Sequence, residues 1–370
     1  MNWIIIGTLA LAASVGTYFY WPDDDARLSR AIGTYDCEAA PIAPTFGKGY
    51  EGSLIDAHMH MPHPPEGPEF LDMVPIGNER PQLGRTVTVS DYICNLKTEG
   101  IKKAFIFFPV FPGAEELHLA VVDAAINTYP EVLVPFIMPP ERDDQPDGYP
   151  TVDAATLEEW LSVYPDLFEG YGEIGLYARG DNWGPTGAPE LPPDSERLTK
   201  IYPVVRKNNL LVYFHLGRGQ QASFERTAAA NPDISFIFHG DQLIPYGERG
   251  QDLSAIDAIL YRHPNVTYEV DELYGDVWLV HPEKDKEEFF AHFENYEELL
   301  EKDLGTWKAF IERHPDQVIW GSDRGVSNLW SMDRDVGLTL TRYVRAFIAR
   351  LDPAVQEKYA FKNAERLIAE

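Results

Sequence analysis

The sequence is poor in cysteine and in positive charge, and each shortage excludes a class of protein. Its two cysteines, Cys37 and Cys94, are too few for a zinc cluster or a disulfide framework. One bridge between them would need an oxidising compartment, and we expect two unrelated buried thiols instead. Lys and Arg total 31 against 59 for Asp and Glu, which gives a formal charge of -28. A surface this acidic repels phosphate backbones, so the composition argues against a nucleic-acid partner.

One long hydrophobic run stands out, from Trp3 to Trp21, and Pro22 ends it before three aspartates. It is about long enough to span a bilayer, which takes roughly 20 residues. An uncleaved membrane anchor and a cleaved signal peptide fit this run equally, and both predict export to a periplasmic or other extracytoplasmic space. We therefore assign residues 1–25 to this segment, 26–50 to a linker that leads into or wraps the domain, and 51–370 to one catalytic domain.

Beyond the linker, short apolar runs alternate with longer segments of helical period. The runs are Ser53–Ala57, Ala104–Phe108, Val132–Met138, Gly170–Ile174, Leu210–Phe214, Ile234–Phe238, Val266–Val270 and Val318–Trp320. Several are nearly continuous in Val, Ile, Phe and Tyr, as in parallel strands covered on both faces. Helix candidates between and after them include Glu115–Tyr129, Ala154–Tyr164, Glu196–Lys207, Ala255–Arg262, Tyr296–Arg313, Arg334–Leu351 and Ala354–Ala369.

Eight strand–helix units at this spacing predict a (β/α)8 barrel of the TIM type. An open doubly wound sheet is the alternative. That architecture usually carries a glycine-rich phosphate turn after its first strand, and the sequence has none there.

Histidines and carboxylates follow the ends of several predicted strands. His58 and His60 end the first strand, and residues two apart on a strand point to the same side. Single histidines, His215 and His239, end the fifth and sixth strands. Glu173 lies near the end of the fourth strand, and Asp323 follows the eighth. These side chains can meet at one point only if the chain closes as a barrel, so the sequence predicts a metal or catalytic site at its mouth.

Each of these residues also has a structural alternative. Asp323 could cap the following helix, and Glu173 could be a metal ligand, a proton relay or a salt-bridge partner. Asp56 could orient a ligating histidine or stabilise the local turn. The remaining histidines are interpreted as surface residues: His63, His118, His263, His281, His292 and His314.

The order D-x-H-x-H, G-E-x-G-L, H-x-G, H-G and G-S-D resembles the amidohydrolase superfamily, particularly its second branch of metal-dependent hydrolases. The closing segment Phe361–Leu367 is similar to that branch's C-terminal helix. The resemblance covers residues 53–370 and implies that His58, His60, His215 and Asp323 are metal ligands. The family's sixth-strand histidine is a second-metal ligand or a catalytic residue, which implies the same for His239. Glu173 replaces the carboxylated lysine of some members and looks like the glutamate of TatD-like deoxyribonucleases.

The resemblance implies a divalent metal, zinc first with manganese or iron also open, as one or two ions that activate water. Asp323 would be general base and then acid, His239 would polarise the scissile bond, and Glu173 would be a ligand or proton relay. We also predict that three arginines that follow strand ends bind a substrate carboxylate. They are Arg179, Arg218 and Arg324.

These expectations favour a hydrolase acting on a small ester, lactone, amide or phosphoester. A metal-dependent decarboxylase or other lyase on the same scaffold is the nearest alternative. A catalytically inactive, membrane-tethered binding protein is the alternative from a different class. The sequence sets neither the substrate nor the oligomeric state.

Overall fold

The computed structural model describes residues 24–61, 88–110, 112–113, 115–139, 149–177, 190–239, 243, 246–247, 250–271, 273, 284–325 and 329–369. The predicted anchor or signal run, Trp3–Trp21, therefore lies outside the described residues. Within the described part of the chain, no helix has both the length and the apolar character that a membrane span needs.

Eight strands in the described residues form one parallel sheet that follows chain order. They are β1 (Ile55–His60), β2 (Lys103–Pro109), β3 (Leu133–Met138), β4 (Gly170–Gly175), β5 (Leu211–His215), β6 (Phe236–His239), β7 (Val266–Val270) and β8 (Val318–Trp320). The chain just after β8 returns to β1, where Met59 and Arg324 form a parallel bridge. The sheet is thus a nearly closed barrel, which confirms the predicted architecture. A two-strand hairpin, Tyr246–Gly247 with Gly250–Gln251, lies outside it.

Aromatic side chains fill the barrel beneath the ends of β1 and β5. Phe105, Phe107, Phe136 and Tyr213 have no exposed surface. The ring of Phe107 lies 5.2 Å from that of Phe136 and 4.8 Å from that of Tyr213, as centroid distances. Burial of such large apolar rings is the main stabilising contribution in a core of this kind. We call these four rings the aromatic floor, because the predicted site residues lie directly above them.

Helices surround the barrel. They are α1 (Asp24–Ile32), α2 (Val89–Glu99), α3 (Glu115–Thr128), α4 (Ala154–Val163), α5 (Glu196–Lys207), α6 (Gln221–Ala230), α7 (Ser254–Arg262), α8 (Lys286–His292), α9 (Tyr296–Asp303), α10 (Ala309–Arg313), α11 (Arg334–Ile348), α12 (Pro353–Glu357) and α13 (Asn363–Leu367). Capping residues set several starts; Thr88 and Asp91, for example, form a reciprocal capping box at α2.

Two helices predicted as continuous are interrupted. A π-helical segment, Leu304–Lys308, separates α9 from α10, and a second, Lys358–Lys362, separates α12 from α13. A π segment inserts residues without ending the helix, so the apolar periodicity in the sequence hardly registers it.

The N-terminal segment packs against the barrel's helices. Phe46 is buried against the rings of Phe293 and Tyr343, at centroid distances of 5.6 Å for each pair. Cys37 is joined to Cys94 of α2 by a disulfide. The expectation of two unrelated thiols was therefore wrong, because spacing in the sequence does not reveal that this segment folds back over α2.

Two of the histidines interpreted as surface residues are buried. His118 is 2% exposed and His314 is 7% exposed, and His314 Nε2 lies 2.9 Å from Asp257 Oδ1. His118 lies on the buried side of α3 and His314 directly follows α10, and the polarity of histidine alone did not indicate that either is buried. His63 and His281 lie outside the described residues.

Candidate metal centre

The two histidines of β1 point towards one another at the mouth of the barrel. His58 Nε2 lies 3.1 Å from His60 Nε2, and neither side chain is more than 4% exposed. His58 packs edge-on against Phe107 of the aromatic floor, with ring centroids 4.9 Å apart. The alternation of side chains along the strand places both imidazoles on the inner face of the barrel.

The turn after β8 brings a carboxylate to the same point. Asp323 Oδ1 lies 3.2 Å from His58 Nε2 and 3.1 Å from His60 Nε2. Asp323 has a φ of +48°, a left-handed conformation that is uncommon for a residue other than glycine. The Asp323 N–H donates to His58 O at 2.9 Å, which fixes this turn against β1. Strain of this kind is often found at functional sites.

Asp56 also connects β1 with the turn after β8. Its Oδ1 accepts from the backbone N–H of His58 at 3.2 Å and of Ser322 at 3.0 Å. It therefore joins the backbone of β1 to the turn after β8 through backbone N–H groups. Burial raises the pKa of Asp56 to about 6, although the charge of Arg324 opposes this.

Glu173 of β4 lies between four imidazoles. Its Oε2 is 3.7 Å from His58 Nε2 and 3.5 Å from His60 Nε2. Its Oε1 is 2.9 Å from His215 Nδ1 and 2.6 Å from His239 Nε2. One carboxylate thus links two groups of side chains. We call the first the ligand group, formed by His58, His60, Glu173 and Asp323, and the second the hydrogen-bonded group, formed by Glu173, His215 and His239.

The ligand group fits a divalent cation. A tetrahedral ion with bonds of roughly 2.0–2.2 Å holds its ligand atoms roughly 3.3–3.6 Å apart. The Nε2 atoms of His58 and His60 lie 3.1 Å from one another and 3.1 to 3.7 Å from the nearest carboxylate oxygens of Glu173 and Asp323. The hydrogen-bonded group is tighter, at 2.6 and 2.9 Å, which is the spacing of charge-assisted hydrogen bonds.

The charges at the mouth also favour a cation. Burial opposes the protonated form of His58, but the charge of Asp323 and hydrogen bonds to Glu173 and Glu269 raise its pKa to about 10. Burial likewise opposes protonated His239, and Asp271 and Glu173 raise its pKa well above the usual value. A site whose carboxylates stabilise positive charge on their neighbours also stabilises a metal ion.

A protein-family model described as Amidohydrolase matches residues 55–369. The chain belongs to the amidohydrolase family. No curated protein matches the sequence. Membership confirms the resemblance drawn from the strand-end motifs and identifies the chain with a superfamily of enzymes. Together with the ligand group, it supports a divalent metal centre.

Solved structures share the amidohydrolase fold at low sequence identity. A probable 2-pyrone-4,6-dicarboxylic acid hydrolase from Acinetobacter baumannii, solved with citric acid, has 14% identity and a TM-score of 0.52, covering 86% of this chain and 99% of its own. An amidohydrolase from Burkholderia multivorans, solved with zinc, has 13% identity and a TM-score of 0.53, covering 86% and 99%. A 5-carboxyvanillate decarboxylase from Novosphingobium aromaticivorans, with manganese, has 12% identity and a TM-score of 0.47, covering 88% and 98%. The likeness to the first two concerns the fold alone.

The amidohydrolase brings six of the residues singled out in the sequence into one cluster. They are His58, His60, Glu173, His215, His239 and Asp323. Of the arginines proposed to bind substrate, Arg179 lies outside the described residues, and Arg218 is exposed on the loop after β5.

Arg324 does not reach the mouth, contrary to the prediction. Its side chain is fully buried, and its guanidinium donates to Glu99 of α2 at 2.9 and 2.5 Å. The backbone just after Asp323 turns back towards β1, which directs this side chain into the barrel wall. The arginine therefore holds the wall together and is closed to a substrate.

Sequence reasoning missed the carboxylates of β7. Glu269 Oε2 lies 3.2 Å from His58 Nδ1, and Asp271 Oδ2 lies 2.8 Å from His239 Nδ1. The hydroxyl of Tyr213 also donates to Glu269 Oε2, at 3.1 Å. The available signal was two acidic residues two positions apart at the end of an apolar strand, the same spacing that identified His58 and His60.

Proposed function

We propose that this amidohydrolase is a metal-dependent hydrolase that directs an activated water at a small ester, lactone, amide or phosphoester. The observation that carries the proposal is the position of Asp323. Its carboxylate contacts both histidines of β1 and keeps 16% of its side-chain surface exposed. A carboxylate so placed can take a proton from an attacking water and return it to the leaving group.

A single ion held by the ligand group is the arrangement that we favour, because the hydrogen-bonded group has the shorter N–O distances of direct hydrogen bonds. Two imidazoles suit zinc, and two carboxylates leave manganese or iron open. When bound, the ion supplies a Lewis acid and lowers the pKa of water towards about 7.

His239 and His215 have different roles in this proposal. His239 is 1% exposed and lies between Asp271 and Glu173, so as an imidazolium it fixes Glu173 and does not reach a substrate. His215 keeps 18% of its side-chain surface exposed and lies beside the ring of Tyr177, with centroids 4.5 Å apart. It is the imidazole that can polarise a substrate oxygen. This assigns to His215 the polarising role that the sequence suggested for His239.

The substrate in this proposal is a small molecule. Large polyanions such as nucleic acids are disfavoured by the formal charge of -28. Arg218 remains the predicted contact for a substrate carboxylate.

The test is hydrolysis in water enriched in oxygen-18, with the full chain loaded with zinc, manganese or iron. We expect one labelled oxygen in the acid product from at least one substrate class, and a loss of about 10²–10⁴-fold in kcat for Asp323→Asn. Asp166→Asn is the matched control, because Asp166 also has a left-handed φ, of +62°, and lies away from the site. It should retain full activity.

Two results would contradict the hydrolase. Release of carbon dioxide from an aromatic acid, with the remaining skeleton intact and unlabelled, would indicate a decarboxylase. Full metal occupancy without turnover of either substrate type would indicate a binding protein.

A further inference from the structure

We propose that Glu269 of β7 and Asp271, the residue after β7, are positioning residues that bond Nδ1 of His58 and of His239, so that both rings direct Nε2 at the reaction centre. The inference deepens the proposed function and rests on it for its catalytic consequence. It adds a sixth strand, β7, to the five strand ends that hold the ligand group and the hydrogen-bonded group.

The contact between Glu269 and His58 fixes which ring nitrogen carries the proton. Both side chains are 0% exposed, and Glu269 Oε2 lies 3.2 Å from His58 Nδ1. The same oxygen accepts from the Tyr213 hydroxyl at 3.1 Å, so it acts as an acceptor towards both partners. Glu269 therefore keeps a proton on Nδ1 of His58, and Nε2, which faces the ligand group, is the nitrogen that can bind a metal.

The contact between Asp271 and His239 has the same form. Asp271 Oδ2 lies 2.8 Å from His239 Nδ1, and their side chains are 5% and 1% exposed. At the other side of the ring, His239 Nε2 lies 2.6 Å from Glu173 Oε1. A carboxylate on each side locks the ring plane, so Asp271 acts on Glu173 through His239.

The register of β7 explains why both contacts arise from one strand. Side chains two apart on a strand share a face, so Thr267 and Glu269 face into the barrel, and the contact of Asp271 with His239 places the next residue in this series on the same face. Val266, Tyr268 and Val270 face the helices and are buried there.

Burying two carboxylates lowers the free energy of unfolding, and apolar residues at these positions on the inner face would give a more stable fold. This cost indicates that Glu269 and Asp271 serve the histidines above them rather than the stability of the fold.

The test uses Glu269→Gln and Asp271→Asn, which keep side-chain shape and remove the charge, with Thr267→Val as the matched control on the same face. Two quantities are measured on the zinc-loaded full chain. One is the zinc dissociation constant, by competition with a chromophoric chelator. The other is the set of imidazole N–H proton resonances, which move downfield when the proton is hydrogen-bonded to a carboxylate.

We expect Glu269→Gln to weaken zinc binding by about 10–100-fold and to shift one N–H resonance upfield. Asp271→Asn should shift a different resonance and weaken zinc binding less than Glu269→Gln does, because it acts on the ligand Glu173 only through His239. Thr267→Val should change neither quantity. If Glu269→Gln does not fold, Tyr213→Phe is measured in its place. This variant removes the tyrosine hydroxyl and keeps the Glu269 carboxylate, so the N–H resonance of His58 should stay downfield.

The outcomes distinguish the positioning roles of Glu269 and Asp271 from the proposed hydrolase activity. Unchanged zinc affinity and unchanged resonances in both carboxamide variants would overturn the positioning roles even in an active hydrolase. The expected shifts in a protein that hydrolyses nothing would leave the positioning roles standing and would refute the hydrolase alone.

Discussion

The absence of a side chain at Gly321 leaves the space that Glu269 and His58 occupy beside the metal centre. Gly321 lies between β8 and Asp323, and a Cβ placed there would overlap Glu269 Oε1 and the Cβ of His58. The close approach of β8 to β1 and β7 therefore depends on glycine at this position.

We expect Gly321→Ala to lose metal affinity and to lower the free energy of unfolding by about 1–3 kcal/mol through overpacking. Metal content by mass spectrometry and urea denaturation check this. Gly305→Ala is the control, because a Cβ at Gly305 would meet nothing within 4 Å. Equal metal content in the two variants would contradict the steric argument.

The sequence identified most of the metal centre because histidine at a strand end is an unusual residue in an unusual place. The convergence of His58, His60, His215 and His239 on Glu173 follows from barrel closure alone. Glu269 and Asp271 were missed because acidic residues in and after an apolar strand resemble edge or surface positions. The sequence also predicted the wrong role for Arg324, because it does not show in which direction the side chain of a residue after a strand points.

At the level of elements, the ion pair of Arg324 with Glu99 joins the turn after β8 to α2. Both side chains are fully buried, and Arg324 Nε also donates to Ser322 Oγ at 3.2 Å. Gly337 of α11 makes space for the pair, since a Cβ there would overlap both side chains. This pair therefore fixes two helices relative to the segment that carries Asp323.

Removal of one partner should be more harmful than removal of both. We expect Arg324→Met to cost about 3–5 kcal/mol of unfolding free energy, because it leaves the buried charge of Glu99 unpaired. Adding Glu99→Leu should recover part of that loss. Chemical denaturation measures all three proteins, and a double variant no more stable than Arg324→Met would contradict the argument.

At the scale of the whole molecule, the disulfide binds the N-terminal segment to the barrel. Cys37 and Cys94 are 57 residues apart, and closing a loop of that length stabilises a protein by about 4 kcal/mol in the chain-entropy model. Disulfides persist in oxidising compartments, so this bond favours the proposed export of the protein, which stays a prediction.

We expect the double variant Cys37→Ser, Cys94→Ser to unfold at a lower temperature and to be cleaved first within residues 33–50. Calorimetry and limited proteolysis check this, and the parent treated with a reductant should behave like the variant. A reduced parent with an unchanged melting temperature would contradict a stabilising role for the bond.

The barrel itself was predictable, because eight apolar runs at regular spacing leave few ways to bury both faces of a parallel sheet. The course of residues 33–50 was not predictable, because a proline-containing segment without periodicity shows no preference for the surface that it covers. The same holds for the π segments within the C-terminal helices.

The closure of the barrel also sets when the ligand group is complete. His58 lies on the first strand and Asp323 follows the last, and the backbone bond between them is the seam of the barrel. A nascent chain that already contains His58, His60, His215 and His239 still lacks Asp323 and the hydrogen bond that closes the barrel. Its ligand group is therefore incomplete. A complete ligand group therefore requires residues from both the first strand of the barrel and the turn after the last.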